Sequence, residues 1–437
     1  MKRTLTLIAL ILATRSGAAQ ERVVRLTLDE AIARGLSSSH RLAELLARKE
    51  GAEAAEAGRA AATMPSVALA GGYTRTNHVD EFGIAQPGQP PRIIYPDVPD
   101  NYRARIDLNW PLYSGGRTDA LERAAAAERQ ATGEDVAAAR SDLRLEITRA
   151  FWALVSAIET EHVLARSLDN IGTHVRDLRN RFEQGLIAPN EVLSAETQQS
   201  RQRVLAIEAA NTRAVCEADL RRLVGIDTPD RIEPDATLDG VAASVGAAEG
   251  LLADARAQRP ERRALEDRVE ASRAREDAVR AEARPQVGVN AGYDYARPNP
   301  RIFPRQGVWQ DSWDASVNVS WLLWDGGRQR AERAEAAAAS RAVRARAADF
   351  DRQVAFEVRQ RWLEADSSRA AIVAASDGVR SATEARRVVM DRFRAGVVTS
   401  TDVLDADLAV LQAELDLTRA RAAARLAEAR LERAVGK

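Results

Sequence analysis

The nine residues Asn109–Arg117, NWPLYSGGR, close an alternating apolar run and open a long proline-free stretch, and they return 211 residues later as Ser320–Arg328, SWLLWDGGR. At the same offset Arg181–Glu196, RFEQGLIAPNEVLSAE, returns as Arg392–Asp407, RFRAGVVTSTDVLDAD. A third pair, Pro65–Tyr73 (PSVALAGGY) and Pro285–Tyr293 (PQVGVNAGY), is offset by 220, so the second copy is nine residues shorter between its two strand-like runs. A length change there marks a loop. Self-similarity on this scale predicts two tandem structural copies, 20–226 and 251–437, joined by a linker at 227–250.

Within each copy the apolar period switches from two to about 3.6. Tyr102, Ala104, Ile106, Leu108, Trp110 and Leu112 alternate with Arg103, Arg105, Asp107 and Asn109, which predicts a strand with one oily face. Val287, Val289, Ala291, Tyr293 and Tyr295 repeat the pattern, as do Trp313, Ala315, Val317, Val319 and Trp321, and more weakly Val67, Leu69 and Tyr73. Each run is about ten residues, the length a tilted strand needs to cross a bilayer. All six tyrosines and five of the seven tryptophans fall in the windows Pro65–Tyr113 and Pro285–Trp324. Amphipathic rings favour the headgroup level of a membrane, and the prolines between the runs mark connecting loops at Gln86–Pro99 and Arg297–Pro304. A soluble two-sheet sandwich would also alternate, but its core would not need aromatics at strand ends.

Outside these windows the pattern is helical. From Arg117 to Phe182 two seams run at seven-residue spacing, Leu143, Ala150, Ala157, Leu164, Ile171, Leu178 and Ile147, Leu154, Glu161, Leu168, Val175, Phe182, with Glu161 the one polar member. That is a coiled-coil helix of ~100 Å. Arg328–Phe393 is its counterpart, its seams interrupted by Arg361, Ser368 and Arg386. Shorter helices are expected at Leu28–Ala62, Glu191–Val224, Leu251–Ala283 and Asp402–Val435, two beside each long one. The fold class is therefore mainly α with membrane β: a rod of long coiled-coil helices, about two helices thick per repeat, with the strands at one end.

Composition excludes several functions. A net charge of −1 offers no surplus for a phosphate lattice, so no nucleic-acid partner is expected. Cys216 stands alone, which excludes an intrachain disulfide framework. His162 and His174 are twelve apart, out of helical phase, and join no ligand set, so neither metal nor cofactor is expected. No nucleophile and base arrangement points to an enzyme. Residues 1–19 have the basic start, apolar stretch and small-residue end of a secretory signal peptide. No later run of about 18 apolar residues exists, so insertion into a membrane has to use strands. Four strands cannot close a barrel, and an open edge in lipid would leave backbone groups unpaired, so several chains have to share one. Three copies would give twelve strands and two would give eight.

PLYSGGR at Pro111–Arg117, LLWDGGR at Leu322–Arg328, RFEQG at Arg181–Gly185 and RFRAG at Arg392–Gly396, in this order behind a signal peptide, resemble the outer-membrane efflux proteins of the TolC family. The resemblance covers essentially the whole mature chain. It implies a homotrimer with a shared 12-stranded β-barrel in outer-membrane lipid, four strands per chain. It further implies that the long helices form a coiled-coil helical barrel, a periplasmic helical tunnel that meets a periplasmic adaptor (membrane fusion) protein and an inner-membrane transporter. The function so implied is an exit duct for efflux or type I secretion. A periplasmic adaptor or a structural coiled-coil protein of the envelope is the alternative, and neither would need the doubled strand windows.

Two glycine motifs have local physical readings. Gly115, Gly116, Gly326 and Gly327 fall where strand becomes helix, and glycine takes the positive φ that such a bend requires. Ser114 and Asp325 before them suit a helix N-cap. Gly185 and Gly396 fall at the far end of the long helices, where the chain reverses, and the acids Glu191, Asp402 and Asp405 open the helices that follow, as the helix dipole favours. The resemblance makes this turn the periplasmic tip and gives Asp402 and Asp405, with Glu191 in the first copy, the positions of acids that line its closed entrance. Val398 stands where well-known members have arginine, so a salt-bridge lock does not carry over.

Overall fold

The computed structural model describes residues 23–227, 230–240 and 246–437; the expected signal peptide lies outside the described residues. Two 67-residue helices, α3 (Arg117–Glu183) and α7 (Arg328–Arg394), form the long axis. Each turns back into a 36-residue helix, α4 (Pro189–Val224) or α8 (Ser400–Val435). The shorter companions are each two helices rather than the single ones expected: α1 (Leu28–Ser38) with α2 (His40–Ala61), and α5 (Ala248–Gln258) with α6 (Pro260–Ala281). Proline forces the residue before it out of the helical region, and Arg259 is accordingly extended (φ −65°, ψ 119°) ahead of Pro260. In the first copy Ser39 takes the same extended backbone, and its hydroxyl accepts from the Leu42 N–H at 3.2 Å, starting α2 afresh.

One antiparallel sheet lies at an end of the long helices, with strand order β2 (Ser66–Arg75), β5 (Asp100–Tyr113), β7 (Gln286–Arg297), β8 (Gln310–Ser320). The Gln86–Pro99 segment, expected to be a plain loop, belongs to a hairpin of β3 (Phe82–Gln86) and β4 (Gln89–Tyr95), turned at Gly88 with φ 76°. The inter-repeat segment also carries structure: β6 (Arg231–Pro234) pairs in parallel with β1 (Val23–Leu26). Leu26 and Ile232 of that pair pack on Ile147, Phe151, Leu154 and Leu220 to form the largest apolar core.

Most of the anticipated seams of α3 pack, but Leu168 is only half-buried and Phe182, the last seam residue, is exposed. Leu143, Ile147, Ala150, Leu154, Ala157, Leu164, Ile171, Val175 and Leu178 are buried. Glu161 is accommodated because it receives Arg213 Nη1 at 2.8 Å. In α7 only Ser340, Val354, Val358, Ala365 and Phe393 are buried among the described residues.

Candidate functional site

Three places carry the chemistry: the two faces of the sheet, the strand-to-helix bends and the helical tips. On the outer face Val67, Leu69, Tyr73, Ile106, Trp313, Val317 and Val319 are exposed. At one end of that face Tyr102 lies 5.0 Å from Tyr73 and 5.8 Å from Trp309, whose ring stacks on Tyr295 at 5.0 Å. At the other end Trp110, Tyr113, Trp321 and Trp324 are exposed. An oily band between two aromatic levels is the pattern of a strand wall in lipid.

The opposite face holds an ionic ladder, built from the polar residues that alternate with the oily ones. Arg103 grips Asp294 through Nε (2.5 Å) and Nη2 (3.0 Å), and Arg105 donates to Asp107 (2.6 Å), to Asp314 (3.1 Å) and to Asp294. Arg301, from the β7–β8 loop folded over this face, reaches Asp314 at 3.3 Å. Asp294 is only 3% exposed, and a buried carboxylate needs such partners. Gly292 sits opposite Asp107 and Asp314 in the register, and a Cβ there would stand 2.1 Å from the Arg105 guanidinium. Glycine at that point lets Arg105 cross the sheet.

At the bends all four glycines have positive φ: 68° and 87° at Gly115 and Gly116, 73° and 94° at Gly326 and Gly327. Gly116 and Gly327 are themselves the N-cap residues, and the expected cappers act from two positions earlier. Ser114 Oγ accepts from the Thr118 N–H (3.1 Å), while Asp325 accepts from Gly327 (3.1 Å) and Gln329 (2.8 Å). Those backbone donors hold the Asp325 carboxyl below its ordinary pKa. The bends differ in their surroundings. A Cβ on Gly115 would meet Ala281 O at 2.7 Å and Arg284 Cβ at 2.8 Å, whereas Gly326 and Gly327 face open space.

At the tips both long helices end alike. Gly185 and Gly396 have φ 73°, each donating to the carbonyl three residues back, and the next residue donates five back, Leu186 to Arg181 and Val397 to Arg392. The following helices start differently. In α8, Thr399 and Asp402 form a reciprocal capping box: the Thr399 N–H donates to Asp402 Oδ2 at 2.8 Å and the Thr399 hydroxyl to the same oxygen at 2.7 Å. The hydroxyl contact holds the Asp402 carboxyl below its ordinary pKa. In α4, Ala188 offers no capping side chain, Pro189 takes the first turn, and Glu191 lies within that turn. Asp405 is exposed one turn further along α8.

Behind the tips Ile171, Val175, Leu178, Val192, Phe393, Val403 and Leu404 join α3, α4, α7 and α8 in one core. His174 is buried beside it, edge-on to Phe393 at 5.7 Å, with Arg181 over the other ring at 4.8 Å. Burial pushes the His174 imidazole pKa down. Asp407, passed over in the sequence, is held by Arg386 from α7, which explains why arginine interrupts that seam. The repeat carried the signal: Glu196, the matching residue of the first copy, takes Arg179 at 2.9 Å. No group of ligating side chains among the described residues could hold a metal, and His162 and His174 are not brought together as a site.

Comparison with known proteins agrees with this geometry. The family model described as outer membrane efflux protein matches residues 31–226 and 251–437. The chain is 27% identical over 319 residues to protein CyaE of Bordetella pertussis, covering 71% of this chain and 63% of that protein. It is 24% identical over 398 residues to outer membrane protein TolC of Vibrio cholerae, covering 90% of this chain and 87% of that one. The crystal structure of the outer membrane protein VceC from Vibrio cholerae shares the fold, with TM-score 0.78, 20% identity, and 94% and 96% of the two chains covered.

Proposed function

The chain belongs to the outer membrane efflux protein family, and we propose that it works as a passive exit duct of a tripartite efflux or type I secretion system. It performs no catalysis of its own and is driven by a periplasmic adaptor and an inner-membrane transporter. The observation that carries this reading is the sheet. It has an exposed apolar face bounded by aromatic levels, a charged inner face, and two edge strands, β2 and β8, with no partner strand on their outer sides among the described residues. Unpaired backbone cannot remain in lipid, so the edges have to join those of other copies. Three copies give the 12-stranded closure, each bringing the copies 20–226 and 251–437 after removal of 1–19. The helical part is then a periplasmic tunnel with the Gly185 and Gly396 turns at its tip.

At that tip three chains would bring Asp402 and Asp405 toward the axis, with Glu191 on the flanking hairpins. Asp402 is already engaged as a cap, so Asp405 is the cleaner probe of a gating role. In planar bilayers, Asp405→Asn is expected to lower cation preference and weaken block by divalent ions without changing outer-membrane yield. Unchanged selectivity would remove the acids from the gate.

The barrel itself is tested by charge placement. Ile106→Arg and Val317→Arg enter the lipid face and should each cost ~2–4 kcal/mol near mid-bilayer. Asn109→Arg and Asn318→Arg point to the lumen and should be tolerated. Equal loss of outer-membrane yield from both pairs would sink the barrel reading.

A further inference from the structure

The charged face of the sheet carries a hollow that the ionic ladder does not fill. Its floor is made of small residues: in the register Gly72 lies opposite Arg103, which itself faces Ala296, and Ala70 lies opposite Arg105. A Cβ on Gly72 would meet nothing within 4 Å. Glycine weakens a strand, and inside one it marks a place that a ligand or another backbone approaches closely. Arg103 and Arg105 stand at one side, and Pro298, Pro300 and Arg305 of the β7–β8 loop form the roof over about 530 Å³, the size of a small-molecule site.

The roof is fixed in place. Buried Asn299 donates to Gln310 O and to Ser312 Oγ, both at 3.0 Å, and accepts from the Arg301 N–H at 2.9 Å. The Arg301 guanidinium donates in turn to Trp313 O at 2.8 Å. Further along the loop, Arg305 lies over the Tyr95 ring at 5.2 Å and donates Nη1 to the Tyr95 hydroxyl at 2.8 Å, so the β3–β4 hairpin sets its direction.

Charge decides what the hollow accepts. In the ladder every acid is already taken: Asp107 by Arg105, Asp294 by Arg103 and Arg105, Asp314 by Arg105 and Arg301. At the neck of the hairpin Asp97 is committed to His78 at 2.6 Å. Arg305 is a further cation, and no carboxylate pairs with it among the described residues. Its Nε is buried without a hydrogen-bond partner, a state that costs free energy until an acceptor arrives.

We propose that this hollow binds an anionic group, a carboxylate or a phosphate, on a small solute; the proposal rests on the duct reading above, which makes the charged face a lumen. Guanidinium presents paired donors that match either oxyanion. The hollow opens on the charged face and not on the oily one, so its ligand is a dissolved anion rather than a lipid headgroup. The ladder contributes no net charge, and the preference for anions comes from Arg305 on the loop.

The test follows inorganic phosphate by its phosphorus NMR line width, titrated against the purified full chain in nonionic detergent. Broadening should saturate in the millimolar range and be reversed by benzoate, which offers a carboxylate instead. Arg305→Gln should weaken phosphate binding at least tenfold, and Arg305→Lys, which keeps the charge and loses the fork, should fall between. Ala70→Leu leaves Arg305 in place and fills the floor, so it should weaken binding as well. Arg75→Gln, on the oily face and paired with Asp100, should change nothing. Saturable broadening that survives both Arg305→Gln and Ala70→Leu, or that is lost equally in Arg75→Gln, overturns the site. The same preparations are measured in planar bilayers. A wild-type chain that conducts without binding phosphate overturns the site and leaves the duct standing, whereas one that binds phosphate without conducting keeps the site and overturns the duct.

Discussion

Helices α3 and α7 have the same length, the same left-handed glycine start and the same glycine end, yet one is a core and the other a surface. α3 buries an almost continuous seam from Ala120 to Leu178, held between α1, α2, α4, α6 and α8. α7 meets α5, α6 and α8 and leaves Phe356, Leu363, Val373 and Val388 exposed. The ends of the two helices are coded alike, and what separates their middles is sequence and surroundings: α3 lies against α6 and α8 of the second copy as well as its own companions, whereas α7 meets α5, α6 and α8 and carries Arg361, Ser368 and Arg386 in its seam. Under the shared-barrel reading, the exposed apolar residues on α7 are where the next copy would pack.

The largest expected difference between the copies is in their cores. Phe151→Ala removes a fully buried ring and should cost ~3–5 kcal/mol in urea unfolding of the purified protein. Phe356→Ala, at a position 71% exposed in the single chain, should change the unfolding of the dissociated monomer by less than about 0.5 kcal/mol and act on assembly instead. Equal losses would abolish the asymmetry. The bends come next. Gly115→Ala meets both an unfavourable φ, worth ~1–2 kcal/mol, and the Ala281 carbonyl, so it should impair folding of the chain itself. Gly326→Ala meets only the φ penalty within the chain and should act mainly at assembly, seen as folded monomer accumulating at the expense of oligomer.

The tips should differ with pH. Because folding lowers the Asp402 pKa from 3.8, its cap contributes fully above that value and is lost as pH falls through the lower folded value. Protection from hydrogen exchange at the start of α8, taken relative to the intrinsic rate at each pH, should therefore fall in strong acid, while the start of α4, which has no side-chain cap, should show no matching step. The smallest effect is expected at His174, whose counterpart on α7 is Ala385. Its folded pKa is lowered by burial, an effect that Asp407 and Asp177 oppose and Arg181 and Arg386 reinforce. Stability consequently declines as pH drops below about 6.5, the unfolded value. Protection of the segment 171–178, measured as exchange relative to the intrinsic rate at each pH, should be lower at pH 5.5 than at pH 7.5, and His174→Phe should flatten that dependence; a persistent pH effect on protection in the variant would exonerate the histidine.

Much of this was legible in the residues because two regular periods and one long repeat are local properties. Alternation at Tyr102–Leu112 defined the two faces of β5, and heptads at Leu143–Leu178 defined the seam of α3. The glycine pairs marked the bends because few other residues tolerate those φ values. What escaped was non-local. The pairing of Val23–Leu26 with Arg231–Pro234 joins segments far apart in the chain, with no pattern strong enough to announce it. The β3–β4 hairpin is short and rich in proline, which reads as a loop. Arg103, Arg105, Asp294 and Asp314 were visible as polar alternates, but their convergence depends on strand order and on the empty place at Gly292. The capping box at Thr399 and Asp402 is visible in the sequence as two polar residues three apart, but an acid in a first helical turn is equally accounted for by the helix dipole, so spacing alone does not separate the two roles.

The ladder on the inner face has an electrical consequence. Arg103, Arg105 and Arg301 are matched by Asp107, Asp294 and Asp314, so this patch is strongly dipolar yet electroneutral. Such a lining stays wetted, because ionised groups hold water against dewetting, while presenting no net potential to a solute of either sign. Each charge is also clamped by its opposite, so the wall cannot reorganise to favour one passenger. At this level the wall is a polar sleeve whose fixed charges cancel, so this patch gives a passing solute of either sign a wetted surface without a net charge.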